Sequence, residues 1–307
     1  MKPRRSIISV PGHIEKMHSK AISGPADVVM LDLEDSVPLD AKDAAREQVI
    51  RTLEAHKSGD RTISFRMNSI DSPMGYRDLI EVVSAVGDRI DTVVVPKVNN
   101  PGDIHFVDRL LTAVEQDKNI SRPIGIEASI ENAEGMALVN EIARSSDRIR
   151  TLVFGIADYS ASIGARIVSI SGHGENEEEI YPGHRWNFAL SRMVMAAKAV
   201  GAQAIDAPYG NFSDQEGLKR AAGLAGALGC DGKWAIHPAQ VEGINEVFSP
   251  SAEDIERAKK ILDADAEARA EGKGAVAVDG RMVDQATVNL ALKLWQQAEY
   301  LNLVPGE

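Results

Sequence analysis

Acidic and basic side chains in this 307-residue chain collect at the ends of short apolar runs. Glu34 and Asp35 follow the run 28–33, Glu127 and Glu131 accompany 124–128, and Asp158 follows 151–154. Arg66 and Asn68 close 62–67, Lys97 follows 92–95, Asp206 lies in 203–207, and His237 follows 234–236. Carboxylates crowded in one place repel unless a cation lies among them. A hard ion such as Mg2+ takes one or two carboxylates and fills its shell with water and substrate oxygens. Glu131 and Asp158 follow neighbouring runs and can converge on one ion, and no Cys or His pair has zinc spacing. The plainer use of any one of these acids is a salt bridge or helix cap. A guanidinium at an apolar strand end needs an anion. The planar fork of Arg66 suits a substrate carboxylate or a developing enolate oxygen, or more plainly one of the neighbouring acids. His237, before Pro238, is as readily a locally hydrogen-bonded residue.

The elements that must hold these groups are legible as a pattern. Apolar runs at 6–10, 28–33, 62–67, 92–95, 124–128, 151–154, 203–207 and 234–236 are continuous rather than alternating, as in parallel strands buried on both faces. Stretches of helical periodicity lie between them, among others 40–54, 103–114, 135–143, 189–200 and 215–228. Eight strands alternating with helices predict an α/β fold, a (β/α)8 TIM barrel, whose active site lies at the C-terminal strand ends. The rival is a doubly wound open sheet, but no Gly-x-Gly-x-x-Gly follows the first run. The barrel is expected over 1–250. A C-terminal helical extension over 251–307 carries helices at 252–271 and 284–300, joined by a Gly-rich connection free to move. The acidic stretch 175–179 reads as an exposed loop.

The formal net charge of -12 argues against a nucleic-acid or membrane-surface partner. The single cysteine, Cys230, cannot form an internal disulfide and reads as a buried spectator. Pro11-Gly12 cuts the first apolar run too short for a signal peptide, and no run approaches a membrane span, so a cytoplasmic location is expected.

These residues, in this order, resemble the citrate lyase β-subunit/HpcH–HpaI aldolase superfamily. The motifs are Val10-Pro11-Gly12, Leu31-Asp32-Leu33-Glu34-Asp35-Ser36, Arg66-Met67-Asn68, Pro96-Lys97-Val98, Ile130-Glu131-Asn132 and Phe154-Gly155-Ile156-Ala157-Asp158. Tyr209-Gly210-Asn211-Phe212-Ser213-Asp214, Gly232-Lys233-Trp234-Ala235-Ile236-His237-Pro238 and Asn245-Glu246-Val247-Phe248-Ser249-Pro250 look like its malyl-CoA lyase branch. The resemblance implies Glu131 and Asp158 as Mg2+ ligands, with Mn2+ able to substitute. It implies Arg66 on the thioester carbonyl and its enolate, and Glu34 and Asp35 holding metal-bound water. Asp284 would be a catalytic acid on the lid of a neighbouring subunit in a homotrimer or homohexamer. Lys16, Gly155, Ile156, Ala157, Ile236, His237 and Pro238 would join Arg66 and Asp158 in contacting substrate. The chain departs from the branch at Asp206-Ala207-Pro208-Tyr209-Gly210-Asn211, where Asp-Gly-Pro-Phe-Gly-Asp is usual, and in a shorter first loop that lacks an Arg.

The implied reaction is reversible Claisen-type cleavage of a 3-hydroxyacyl-CoA, such as malyl-CoA or β-methylmalyl-CoA, to acetyl-CoA or propionyl-CoA and glyoxylate. Alternatives left open are a malyl-CoA thioesterase, a citramalyl- or citryl-CoA lyase, and a CoA-ester-binding subunit of a lyase complex.

Overall fold

Val, Ile and Leu fill both faces of the short runs, and each becomes a strand of one parallel sheet. The structure, a computed structural model, describes residues 2–55, 61–166, 185–270, 272 and 276–304. The expected loop at 175–179 lies outside these residues. The strands are β1 Ser6–Pro11, β2 Val28–Asp32, β3 Thr62–Arg66, β4 Thr92–Val95, β5 Gly125–Ile130, β6 Ile149–Phe154, β7 Gln203–Asp206 and β8 Gly232–Ala235. They pair in sequence order, and β8 returns to β1 with Trp234 opposite Ile7, so the barrel is closed. Closure removes the open-sheet alternative. Ile7, Val28, Met30, Val94, Val153, Ile205 and Trp234 meet inside the barrel. Their neighbours Val29, Leu31 and Val93 are equally buried on the opposite strand face, which is why the apolar runs do not alternate.

The barrel helices are α1 Glu15–Ser23, α2 Lys42–Ala55, α3 Gly75–Val86, α4 Pro101–Lys118, α5 Ala133–Ala137, α6 Val139–Ala143, α7 Ile156–Ser162, α8 Asn187–Ala199, α9 Gln215–Ala227 and α10 Val241–Val247. Local sequence starts and stops several of them. Asn100 and Asp103 form a capping box before α4, with Pro101 in its first turn, and Asn119 ends that helix in a left-handed conformation. Asn132 caps α5 and Asp214 caps α9 through backbone N–H groups.

The chain divides into two compact units, Arg4–Glu246 and, with Met1–Pro3, Val247–Glu307. In the second, α11 Ala252–Ala270 and α12 Gln285–Tyr300 pack together. Between them the expected free connection is in part a β-hairpin, β9 Val276–Val278 with β10 Arg281–Val283. Its turn is Asp279-Gly280, both at positive φ (49° and 74°), the conformation a two-residue hairpin loop requires. Among the described residues no helix is long and apolar enough to cross a membrane.

Candidate active site

The C-terminal ends of β2 and β3 build the first half of the site. Their register sets Asp32 directly beside Arg66. Alternation with Val28 and Met30 turns Asp32 inward, where it is fully buried. Arg66 Nε and Nη2 donate to its two oxygens at 2.6 and 2.7 Å. The backbone N–H groups of Glu34 and Ser36 donate to the same carboxylate at 2.9 and 3.1 Å. Burial alone would raise the Asp32 carboxyl, but Arg66 and these donors hold it below the ordinary range. The guanidinium also lies over the Trp234 ring, 5.6 Å from its centroid. The fork of Arg66 is thus committed to a protein acid rather than to a ligand, and Nη1 is the nitrogen left over. It stands 2.9 Å from Glu34 Oε2 and 3.9 Å from Asp35 Oδ2.

The loop after β2 is tied down from two sides. Lys42, at the start of α2, donates to the carbonyls of Leu33 (2.8 Å) and Glu34 (2.6 Å). Lys97, after β4, donates to a Glu34 oxygen and, at 3.2 Å, to Asp35. Asn68 is fixed by Asp78, which accepts from its backbone N–H (2.8 Å) and side-chain amide (2.6 Å). Arg46 of α2 holds the other oxygen of Asp78.

The second half comes from β5 and β6. Ile130 pairs with Phe154, so Glu131 and Gly155 leave their strands side by side. A Cβ on Gly155 would sit 2.7–2.9 Å from Cγ, Cβ and Cδ of Glu131, so the absent side chain is what seats that carboxylate. Gly155 N–H is spent on Ile130 O at 3.1 Å. Glu131 is 4% exposed. Burial pushes its carboxyl up to about 8; Arg66 opposes this, while Glu34 and Asp158 repel the ionised form. Asp158, in the first turn of α7, is exposed and within hydrogen-bonding reach of Glu131.

A divalent cation fits this arrangement. Fully ionised, Asp32, Glu34, Asp35, Glu131 and Asp158 would outnumber Arg66, Lys97 and Lys42 by two charges, an excess that a bound cation would neutralise. Among the described residues no group of three or more His, Cys, Asp or Glu forms a metal cage. Two carboxylates completed by water and substrate oxygens is the Mg2+ pattern.

Other residues singled out in the sequence lie elsewhere. Glu127 is at the opposite end of the barrel, where Arg4 Nη1 meets it at 2.5 Å and Thr92 donates to the same oxygen. Asp206 alternates with inward-facing Ile205. It points to the outer face of β7 and pairs with buried Lys233 at 2.5 Å. His237 bonds locally, Nδ1 accepting from Ala239 N–H at 3.2 Å, and stacks on Phe212. Ile236, His237 and Pro238 are exposed after β8, Lys16 is exposed in α1, Ala157 is exposed and Ile156 is buried. Cys230 is a free, buried thiol whose pKa burial pushes up. Asp284 belongs to the second unit, where it caps α12 by accepting from Thr287 N and Oγ1, both at 2.9 Å. Asp32, Lys42, Lys97 and Trp234 had no site role assigned from sequence. The adjacency of Asp32 to Arg66 depends on register between strands 34 positions apart. Apolar periodicity alone does not reveal it.

A closed (β/α)8 barrel with carboxylates and one guanidinium gathered at its C-terminal mouth defines the class, a metal-assisted barrel enzyme. The profile of the HpcH/HpaI aldolase/citrate lyase family matches residues 5–238, and the chain belongs to that family of carbon–carbon lyases. It is 39% identical over 306 residues to the L-malyl-CoA/β-methylmalyl-CoA lyase of Cereibacter sphaeroides, covering 98% of this chain and 96% of that one. The Rhodobacter capsulatus enzyme of the same name is 40% identical over 294 residues, covering 94% and 92%. CitE of Mycobacterium tuberculosis, solved with magnesium, acetoacetate and coenzyme A, superposes with a TM-score of 0.75 at 28% identity. That match spans 97% of this chain and 98% of the other.

Proposed function

We propose that this chain is a Mg2+-dependent lyase that reversibly cleaves malyl-CoA or β-methylmalyl-CoA to acetyl-CoA or propionyl-CoA and glyoxylate. The observation that carries the reading is Glu131, a buried carboxylate set beside Asp158 and in no salt bridge among the described residues, in a chain alike end to end with malyl-CoA lyases. Held by Glu131 and Asp158, Mg2+ (or Mn2+) would supply Lewis acidity toward the glyoxylate oxygens. In cleavage the carbon–carbon bond breaks toward the thioester, whose oxygen gains charge as the enolate forms. Arg66 Nη1 is the donor placed to bear that charge, and Asp32 fixes it there. Glu34 and Asp35 orient water and the Nη1 edge. Lys16, Gly155, Ile156, Ala157, Ile236, His237 and Pro238 contact the CoA ester. Asp284, carried by the tail of a neighbouring subunit in a homotrimer or homohexamer, accepts the hydroxyl proton as that oxygen becomes the aldehyde carbonyl of glyoxylate, and delivers it to the enolate carbon. Incubating the protein with acetyl- or propionyl-CoA, glyoxylate and Mg2+ tests the reading. The mass of malyl-CoA or methylmalyl-CoA is expected, and its absence would overturn the reading.

The seat of Glu131 yields a prediction about metal binding. Gly155→Ala should weaken Mg2+ binding by roughly 10- to 100-fold, the scale on which groups orienting a ligand act. Calorimetric titration reads this directly, and unchanged affinity would take Glu131 out of the metal site.

Asp284 needs a variant that spares its cap. Asn caps helices about as well as Asp, so Asp284→Asn should melt like the parent while turning over about 100-fold more slowly. Asp284→Ala should be equally slow and lose a further ~1 kcal/mol of stability with the cap. Normal turnover by the Asn variant would confine Asp284 to capping α12.

A further inference from the structure

The cation at the end of β4 has a conformation that its ion pairs alone do not explain. Lys97 lies in the left-handed region, φ 52°, although it is neither Gly nor Asn. The backbone is pinned just beyond it, because Val98 N–H joins Ser129 O at 3.2 Å. Packing allows no slack there either, since a Cβ on Gly135 would meet Val98 O at 2.2 Å. Strained backbone of this kind persists where the surrounding structure imposes it, and it clusters at functional sites. Its consequence here is to carry the ammonium to the loop after β2. There it donates to Glu34 Oε1 and lies 3.2 Å from Asp35 Oδ1.

Glu34 is thereby shared between two cations, one per oxygen. Lys97 takes Oε1 and Arg66 Nη1 faces Oε2 at 2.9 Å. Lys42 cannot replace Lys97, because it reaches only the carbonyls of Leu33 and Glu34. It fixes the loop backbone and leaves the carboxylates free to turn. Without Lys97, both oxygens of Glu34 would compete for Nη1, the one nitrogen of Arg66 not already bonded to Asp32. Asp35 would keep only the distant contact with Arg66 at 3.9 Å.

We infer that Lys97 is a positioning residue for the lyase reaction: by holding Glu34 Oε1 and drawing Asp35 to itself, it limits Arg66 Nη1 to the one close contact with Glu34 Oε2 and leaves the other N–H of that nitrogen to substrate. The inference rests on the lyase reading above for its effect on rate, but not for its effect on geometry. A half-exposed lysine contributes little to stability through such pairs, so the role separates from folding.

The test uses Lys97→Asn, which tolerates the left-handed backbone but removes the cation and its reach. The expected Tm is unchanged within about 2 °C. The expected kcat falls by about 100-fold, the scale of a misplaced catalytic group, while KM for the CoA ester moves less than about threefold. Lys97→Arg, which keeps a cation there, should recover most of the loss. A crystal structure of Lys97→Asn should show the released Oε1 of Glu34 also drawn to Arg66 Nη1, and Asp35 displaced from its place beside residue 97. Glu34 and Asp35 unmoved in that structure, an undiminished kcat, or a kcat loss matched by a large fall in Tm would each overturn the inference. If the parent protein shows no lyase activity, the functional reading fails by itself, and the positions of Glu34 and Asp35 in the variant still decide the role of Lys97.

Discussion

Glu131→Gln is expected to lower kcat by about 1000-fold or more, the scale of losing a main electrostatic element at a reacting centre. The substitution is isosteric, so it keeps the packing against Gly155 and removes only the charge. Its pH signature separates it from a simple lesion. In the metal-free protein Glu131 holds its proton up to about pH 8, chiefly because it is buried. An unfolded chain releases that proton near the ordinary value of 4.5. Between these values the native state binds the extra proton, so this group costs the metal-free protein stability as pH rises through the window. Bound Mg2+ must displace the proton, so its affinity should climb with pH and level off above about 8. The rise in Tm on adding Mg2+ should be larger at pH 8 than at pH 6 in the parent and absent from the variant. A variant that still gains stability from Mg2+ and turns over normally would place the ion elsewhere. Asp32 shifts the other way, below its ordinary range, so its contribution is lost only at strongly acidic pH and does not blur this window.

Arg66→Lys is expected to cost about 100-fold or more in kcat with a smaller change in KM. The guanidinium performs two tasks at once. Nε and Nη2 grip buried Asp32 while Nη1 points past it. A lysine ammonium is one point charge, and it cannot satisfy both oxygens of Asp32 and also project a donor toward the substrate. The loss should fall on kcat because the contact strengthens as the enolate forms. Asp32→Asn should show a similar kcat loss, since a neutral amide no longer anchors the fork. An Arg66→Lys variant altered only in KM would make Arg66 a uniform binder of substrate.

The barrel was legible because all eight strands are buried on both faces, which writes them as continuous apolar runs. Their ends shifted by a residue or more where polar residues are themselves strand members, as with Ser129 in β5, Arg150 in β6 and Lys233 in β8. The pairing of Glu131 with Asp158 was read from neighbouring strands; what the sequence did not reveal is the seat that Gly155 leaves for the Glu131 side chain. Depth along a strand was not legible. Glu127 and Glu131 share the inward face of β5, yet Glu127 lies at the far end with Arg4, and only the register reveals it. The division of labour within Arg66 was hidden for the same reason. The strain at Lys97 has no trace in composition, since the sequence marks a cation at that strand end but not its left-handed backbone. The Asp279-Gly280 turn was written in the sequence, but the surrounding glycines masked it as a loose connection.

Cleavage of malyl-CoA by the purified chain tests the central claim most directly. Free thiol, acetyl-CoA and glyoxylate are followed in the same reaction with Mg2+ and again with EDTA. The expected result is acetyl-CoA and glyoxylate in equal amounts, with no free thiol and no turnover in EDTA. Release of free CoA and malate, or equal rates with and without the metal, would contradict it.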